Sequence, residues 1–203
     1  MDAKTFDRMT TGPFCRRLFA FCDSLGISTI NVEYSGGGDS GGVDNIELEF
    51  DNKKNNRIIS TFFKDVFEEE LGNPIYDRHG SFADGGGYSV NGTVVYSAKK
   101  KAAWIEGTDN YYEYHETKDG EEEEETCSEE SWEEMIYEED EGENNEDAYE
   151  NEDREYDFVF AYAKLMDQLG GEPLCEVCHN QLSAAAIAGN ENAKEYMAWS
   201  GSK

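Results

Sequence analysis

Apolar residues along this chain change period several times, and the changes divide it into elements. Phe14, Leu18, Phe21, Cys22 and Leu25 recur at helical spacing between Pro13, suited to a first turn, and Gly26, suited to a C-cap. Residues 12–25 are therefore predicted as an amphipathic helix. Ile30, Val32 and Tyr34 alternate with polar residues through Ser28–Tyr34, and Ile46, Leu48 and Phe50 do so through Val43–Phe50, which predicts two strands. The glycine-rich string between them predicts a hairpin. Ile58, Ile59, Phe62, Phe63, Val66, Phe67 and Leu71 make a wide apolar stripe, so residues 55–71 are predicted as a second helix, ended by Gly72-Asn73-Pro74. Residues 77–87 read as a loop with four glycines.

Asn91-Gly92, set between β-favouring runs, predicts a type I′ hairpin. Ala103–Glu106 and Tyr111–Glu116 predict two strands around a turn at Gly107-Thr108-Asp109-Asn110. Ser131-Trp132-Glu133-Glu134 has capping-box spacing ahead of Met135, Ile136 and Tyr137, which predicts a short amphipathic helix. Helices over Phe158–Leu169, Leu174–Ala188 and Glu191–Trp199 follow, with Gly189 as a stop and Asn190 as a cap. The expected class is α+β: a small antiparallel sheet of hairpins packed by two helices over residues 1–116. An acidic low-complexity arm, solvated and mobile, is expected over 117–154, and a helical segment over 155–203.

Charge sharpens this division. The net charge is −29 over 203 residues, a surface that repels nucleic acid and anionic membranes and attracts basic partners. Between Thr117 and Asp157 there are 22 acidic residues against two basic ones, Lys118 and Arg154, so this segment holds −20 of the total. The five cysteines are odd in number and scattered, which argues against a secreted disulfide framework. The N-terminus lacks the apolar core of a signal peptide, and no run approaches a membrane span. A cytoplasmic protein with reduced thiols is expected.

Gly38-Asp39-Ser40-Gly41-Gly42 matches the core of the nucleophile motif of chymotrypsin-like serine proteases. In that family the base and its orienting acid precede the serine, whereas His79, His115 and His179 all follow Ser40, and Val43 stands where a proline belongs. A phosphate cradle normally joins strand to helix, often with a cation, but this loop joins strand to strand and carries Asp39 and Asp44. A Ca²⁺ site from Asp39, Ser40 and Asp44 is chemically sensible but lacks EF-hand spacing. The plainer reading is a hairpin loop with glycines at positive φ and Asp39 in an Asx turn.

Residues 25–50, containing INVEYSGGGDSGGVDNIELEF, resemble an uncharacterised family of bacterial and phage proteins. Its members carry a strand, a G-x-G-D-S-G loop and an acidic-apolar strand, then a glycine-rich segment and a hairpin, as Gly80–Tyr96 do here. The resemblance runs over residues 25–116 and is tightest over Tyr34–Gly41. It implies an α+β core and a phage or mobile-element origin, and brings no activity with it.

Cys175-Glu176-Val177-Cys178-His179 matches the haem-attachment string, yet no export signal accompanies it. Zinc held by Cys175, Cys178 and His179 is better chemistry, although a lone C-x-x-C supplies half a site and would need Cys127 or His115. Redox use would want a preceding strand. Leu174, Cys178, Leu182 and Ala185 also form an apolar stripe, which predicts core packing.

The acidic tract reads either as a solvating linker or as an electrostatic surface that occupies a groove built for phosphates. Interleaved Trp132, Met135, Ile136, Tyr137, Tyr149 and Tyr156 favour the second. The expected function is a non-enzymatic binding or inhibitor protein that engages a basic, nucleic-acid-processing host protein as a nucleic-acid mimic, with no direct contact to nucleic acid or membrane. Its partner-binding residues are Glu121, Glu122, Glu123, Glu124, Glu125, Glu129, Glu130, Trp132, Glu133 and Glu134. An alternative is a small-ligand or metal-binding protein using Asp39, Ser40, Asp44, Asp77, His79 and Asp84. A third is an enzyme of undefined type, with Ser40 as its best residue.

Overall fold

The computed structural model describes residues 1–10, 13–51, 57–80, 82, 87–116, 122–139, 157–171 and 176–201, and of 114–116, 122–127 and 192 only the backbone. The elements are α1 (Ala3–Thr10), α2 (Phe14–Leu25), β1 (Ile27–Gly37), β2 (Ser40–Phe50), α3 (Arg57–His79), β3 (Tyr88–Ser97), β4 (Ala102–Glu116), β5 (Glu122–Glu138), α4 (Asp157–Gln168), α5 (Glu176–Ala188) and α6 (Glu191–Ser200). The α+β class read from the sequence is what forms. All strand pairs are antiparallel, in the order β2-β1-β3-β4-β5.

The chain enters α2 through Pro13 and leaves it through Gly26, whose φ of 69° is left-handed. Strand alternation then puts Ile30, Val32 and Tyr34 of β1, Val94 and Tyr96 of β3, and Ala103 and Ile105 of β4 on one face, all buried. Helices α2 and α3 cover that face. Helix α4 packs over them: Phe21 meets Phe63, Phe67, Phe158 and Tyr162, with the rings of Phe67 and Phe158 stacked at 5.0 Å. The C-terminal helices thus share one core with the sheet. Asn190 caps α6 by accepting from the Ala193 N–H at 2.9 Å.

Four local expectations are overturned by tertiary packing. Gly72-Asn73-Pro74 does not end the second helix, which continues to His79. Leu71, Gly72, Pro74 and Ile75 are buried, and the Tyr96 hydroxyl ties the Leu71 carbonyl to β3 at 3.0 Å, so packing of this turn against the sheet offsets the helical hydrogen bond that Pro74 cannot donate. Asn91-Gly92 is not a turn; β3 runs straight through it, with Tyr34 and Gly107 as the neighbours of Gly92. The supposed turn at Gly107-Thr108-Asp109-Asn110 is the middle of β4. Gly92 and Gly107 lie side by side, and their bare backbone is roofed by the Tyr34 ring: a Cβ at Gly107 would stand 2.8 Å from Tyr34 Oη and 2.9 Å from Trp132 Cζ2.

The fourth is the acidic segment. In place of a helix at Ser131–Tyr137, residues Glu122–Glu138 form β5, an edge strand paired along its length with β4. Pairing with β4 outweighs the capping-box pattern, because Trp132 can then lie over Gly107 and Tyr137 is buried. Helix α1 was not predicted from the pattern; eight residues are too short a run to show a period, and Asp2 caps it by accepting from the Thr5 N–H at 2.8 Å.

Gly92→Ala would drive a methyl into the Glu106 carbonyl and to 2.5 Å from Tyr34 Oη. A loss of about 3 kcal/mol is expected, read as a lower urea midpoint at unchanged m-value.

Candidate functional site

The glycine string has a packing purpose. Ser40 is an exposed residue at the start of β2, paired with Gly37, and the turn is made by Gly38 (φ 68°) and Asp39 (φ 125°). Gly36 and Gly41 are cross-strand partners, and the buried Phe82 ring lies on both of them: a Cβ at Gly41 would be 2.7 Å from Phe82 Cε2. The string is a flat seat for one aromatic ring. Asp44 is exposed at a bulge in β2, and Asp77 is exposed on α3. Asp84 lies outside the described residues. Among the described residues no three His, Cys, Asp or Glu side chains come together as a metal site.

His79, proposed as a ligand residue, is held instead in a chain of hydroxyls. Tyr88 Oη donates to Asp109 Oδ1 at 3.0 Å and lies 3.2 Å from His79 Nδ1; Tyr34 Oη lies 3.3 Å from His79 Nε2 and 3.4 Å from the Glu106 carbonyl. The single phenolic proton of Tyr88 goes to the carboxylate, so its oxygen accepts from Nδ1–H, and Tyr34 is then the donor to Nε2. The proton order Tyr34→His79→Tyr88→Asp109 follows. When His79 gains a proton, Nε2–H donates to Tyr34, which turns its own proton to the Glu106 carbonyl. Phe82 stacks on the imidazole at 5.6 Å and Trp132 sits 5.5 Å away.

Burial pulls the His79 pKa below its ordinary value, helped by Arg78 and opposed by Asp109. Burial raises the phenols of Tyr34 and Tyr88, and at Tyr88 the Asp109 hydrogen bond adds to it. Both tyrosines therefore stay protonated donors at neutral pH. The sequence named His79 but not Tyr34, Tyr88 or Asp109, which come from three strands that only the sheet register aligns.

The predicted partner-binding glutamates fall into groups. Glu129, Glu130, Glu133 and Glu134 are exposed on β5. Glu122–Glu125 lie in β5 opposite Glu116–Glu113 of β4, and Glu121 lies outside the described residues. Trp132 is no outward anchor: it turns under Arg78, whose guanidinium lies 3.5 Å from the ring centroid and ion-pairs with Glu134.

Cys178 is buried against the N-terminus, its thiol 3.7 Å from the Asp2 carbonyl, while His179 points to Tyr196 Oη at 3.4 Å. Adjacent helical positions send the two away from a shared ligand, and Cys175 lies outside the described residues. Cys15 and Cys22 are buried, and burial pushes both thiols up, Cys15 to about 12. Comparison with protein-family models, curated proteins and solved structures finds no match to this chain.

Two outcomes follow from this geometry. Gly36→Ala, which places a methyl on the Phe82 ring, is expected to lower stability by about 1–3 kcal/mol, and Ser40→Ala by less than about 0.5 kcal/mol, in parallel thermal melts. Because the folded pKa of His79 is depressed, its contribution is complete above the unfolded value near ~6.5 and is lost as pH falls through the folded value. The stability difference between wild type and His79→Gln should therefore shrink on acidification below about 6.5; a difference independent of pH would remove His79 as the titrating group.

Proposed function

We propose that this chain is a non-enzymatic acidic binding protein, phage- or mobile-element-encoded, that engages a basic, nucleic-acid-processing host protein through the β4–β5 hairpin. The observation that carries the reading is the hairpin's extension. The last β3 partner of β4 is Tyr111, and β4 and β5 pair for five further rungs, from Tyr112↔Thr126 to Glu116↔Glu122. The register sets Glu113 opposite Glu125 and Glu116 opposite Glu122. Like charges directly opposite oppose pairing, so a cationic partner would stabilise this ribbon as it binds.

Magnitudes narrow the partner. Nine of the 17 residues of β5 are glutamates. At about 3.4 Å per residue this is one carboxylate per roughly 6 Å, against one charge per about 1.7 Å of duplex DNA. The strand is too dilute to stand for a duplex, and it suits a groove that receives a single strand or a basic protein segment.

The informative change is substitution, since deleting β5 would strip the sheet of a strand. Glu122–Glu125 replaced together by Gln should weaken binding of polylysine to the full chain by about tenfold at low salt. Wild-type affinity should fall steeply as salt rises. Binding indifferent both to salt and to the four substitutions would overturn the proposal.

A further inference from the structure

The sheet face opposite the helices carries a pattern of its own. One cross-strand row reads Asn45, Glu33, Thr93, Glu106 and Glu133, and the next reads Glu47, Asn31, Val95, Trp104 and Met135. Glu106 and Glu133 are direct neighbours across β4 and β5, both exposed, and no basic side chain ion-pairs with either among the described residues. Two carboxylates so placed repel each other unless a cation lies between them. The Trp104 Nε1–H donates to Glu106 Oε2 at 3.2 Å and fixes that carboxylate beside the indole. A depression of about 300 Å³, lined by Asn91, Thr93, Glu106, Thr108 and Ser131, opens next to them.

The helix-covered face shows what such a group binds. There Trp132 and Glu134, two residues apart on β5, hold the guanidinium of Arg78 between ring and carboxylate. Trp104 and Glu106 repeat that spacing on β4, with Glu133 as a second carboxylate and no arginine. We propose that Trp104, Glu106 and Glu133 form a receptor for one arginine side chain of the basic partner. This inference rests on the function proposed above and places its specificity on the open sheet face, away from the ribbon.

Arginine is favoured over lysine by shape. A planar guanidinium stacks on an indole face while its fork meets two carboxylates, a geometry that a lysine ammonium cannot match. The ammonium of Lys100, 4.8 Å from the Trp104 ring centroid, already shows that this ring accepts a cation.

The test uses the full chain at low salt with fluorescein-labelled hexa-arginine and hexalysine, read by anisotropy and by amide and indole NMR shifts. Hexa-arginine should bind more tightly than hexalysine and shift Thr93, Thr108, Ser131 and the Trp104 indole. The Glu106→Gln/Glu133→Gln double variant should lose about tenfold in hexa-arginine affinity. Glu47→Gln/Glu49→Gln, which removes equal charge elsewhere on the face, should stay within about twofold. Folding of the first variant is checked by its melting temperature, which should not fall, because a repulsive pair is relieved. If the two double variants lose affinity equally, or if the shifts stay within residues 112–126, the arginine receptor is overturned while the acidic-hairpin function stands. If the wild-type chain binds neither peptide, both are overturned.

Discussion

The structure depends on a five-stranded antiparallel sheet covered by helices on one face. Strand alternation sends Ile30, Val32, Val94, Tyr96 and Ile105 to that face, and burial of their apolar surface is the main stabilising term. Among the described residues no helix covers the other face, β2 and β5 are the edge strands, and a free edge is a template for unwanted pairing. The chain manages its edges with charge. Lys64 Nζ reaches round β2 to donate to Asn45 Oδ1 at 2.8 Å, and β5 is loaded with glutamates. Part of the chain's acidity is therefore what a long exposed edge strand requires, whatever it also binds.

Paired glycines shape the covered face. Gly36 and Gly41 seat Phe82, while Gly92 and Gly107 lie beneath Tyr34 and Trp132. Rings lying flat on bare backbone bring the end of α3 close to the sheet, and there Arg78 and His79 meet Trp132, Tyr34 and Tyr88. The same glycines thus create the hydroxyl–imidazole chain and the Arg78 clasp on which the proposed receptor is patterned. Trp104 with Glu106 and Trp132 with Glu134 repeat one arrangement: an indole and a carboxylate two residues apart on a strand.

Elements with their own strong period were legible. Helix α2 with its proline and glycine ends, the β1–β2 hairpin and the three C-terminal helices lie close to where the pattern put them. The failures share a cause. Asn91-Gly92, Gly107 and Gly72-Asn73-Pro74 are local breakers whose meaning depends on a distant ring or hydroxyl, namely Tyr34 and Tyr96. Of the candidate site, the glutamates of β5 and His79 were legible as residue types. Their roles were not, because Trp132 gains its arginine from a helix more than fifty positions earlier in the chain.

The sequence by itself determined the class, the helical and strand periods, and the concentration of negative charge, since these are properties of neighbouring residues. Tertiary structure alone decided that Glu122–Glu138 is a strand, that the glycines are seats for rings as well as bends, and that Glu106 stands against Glu133. Those outcomes turn on cross-strand register, and register is settled only when every strand buries its apolar face at once.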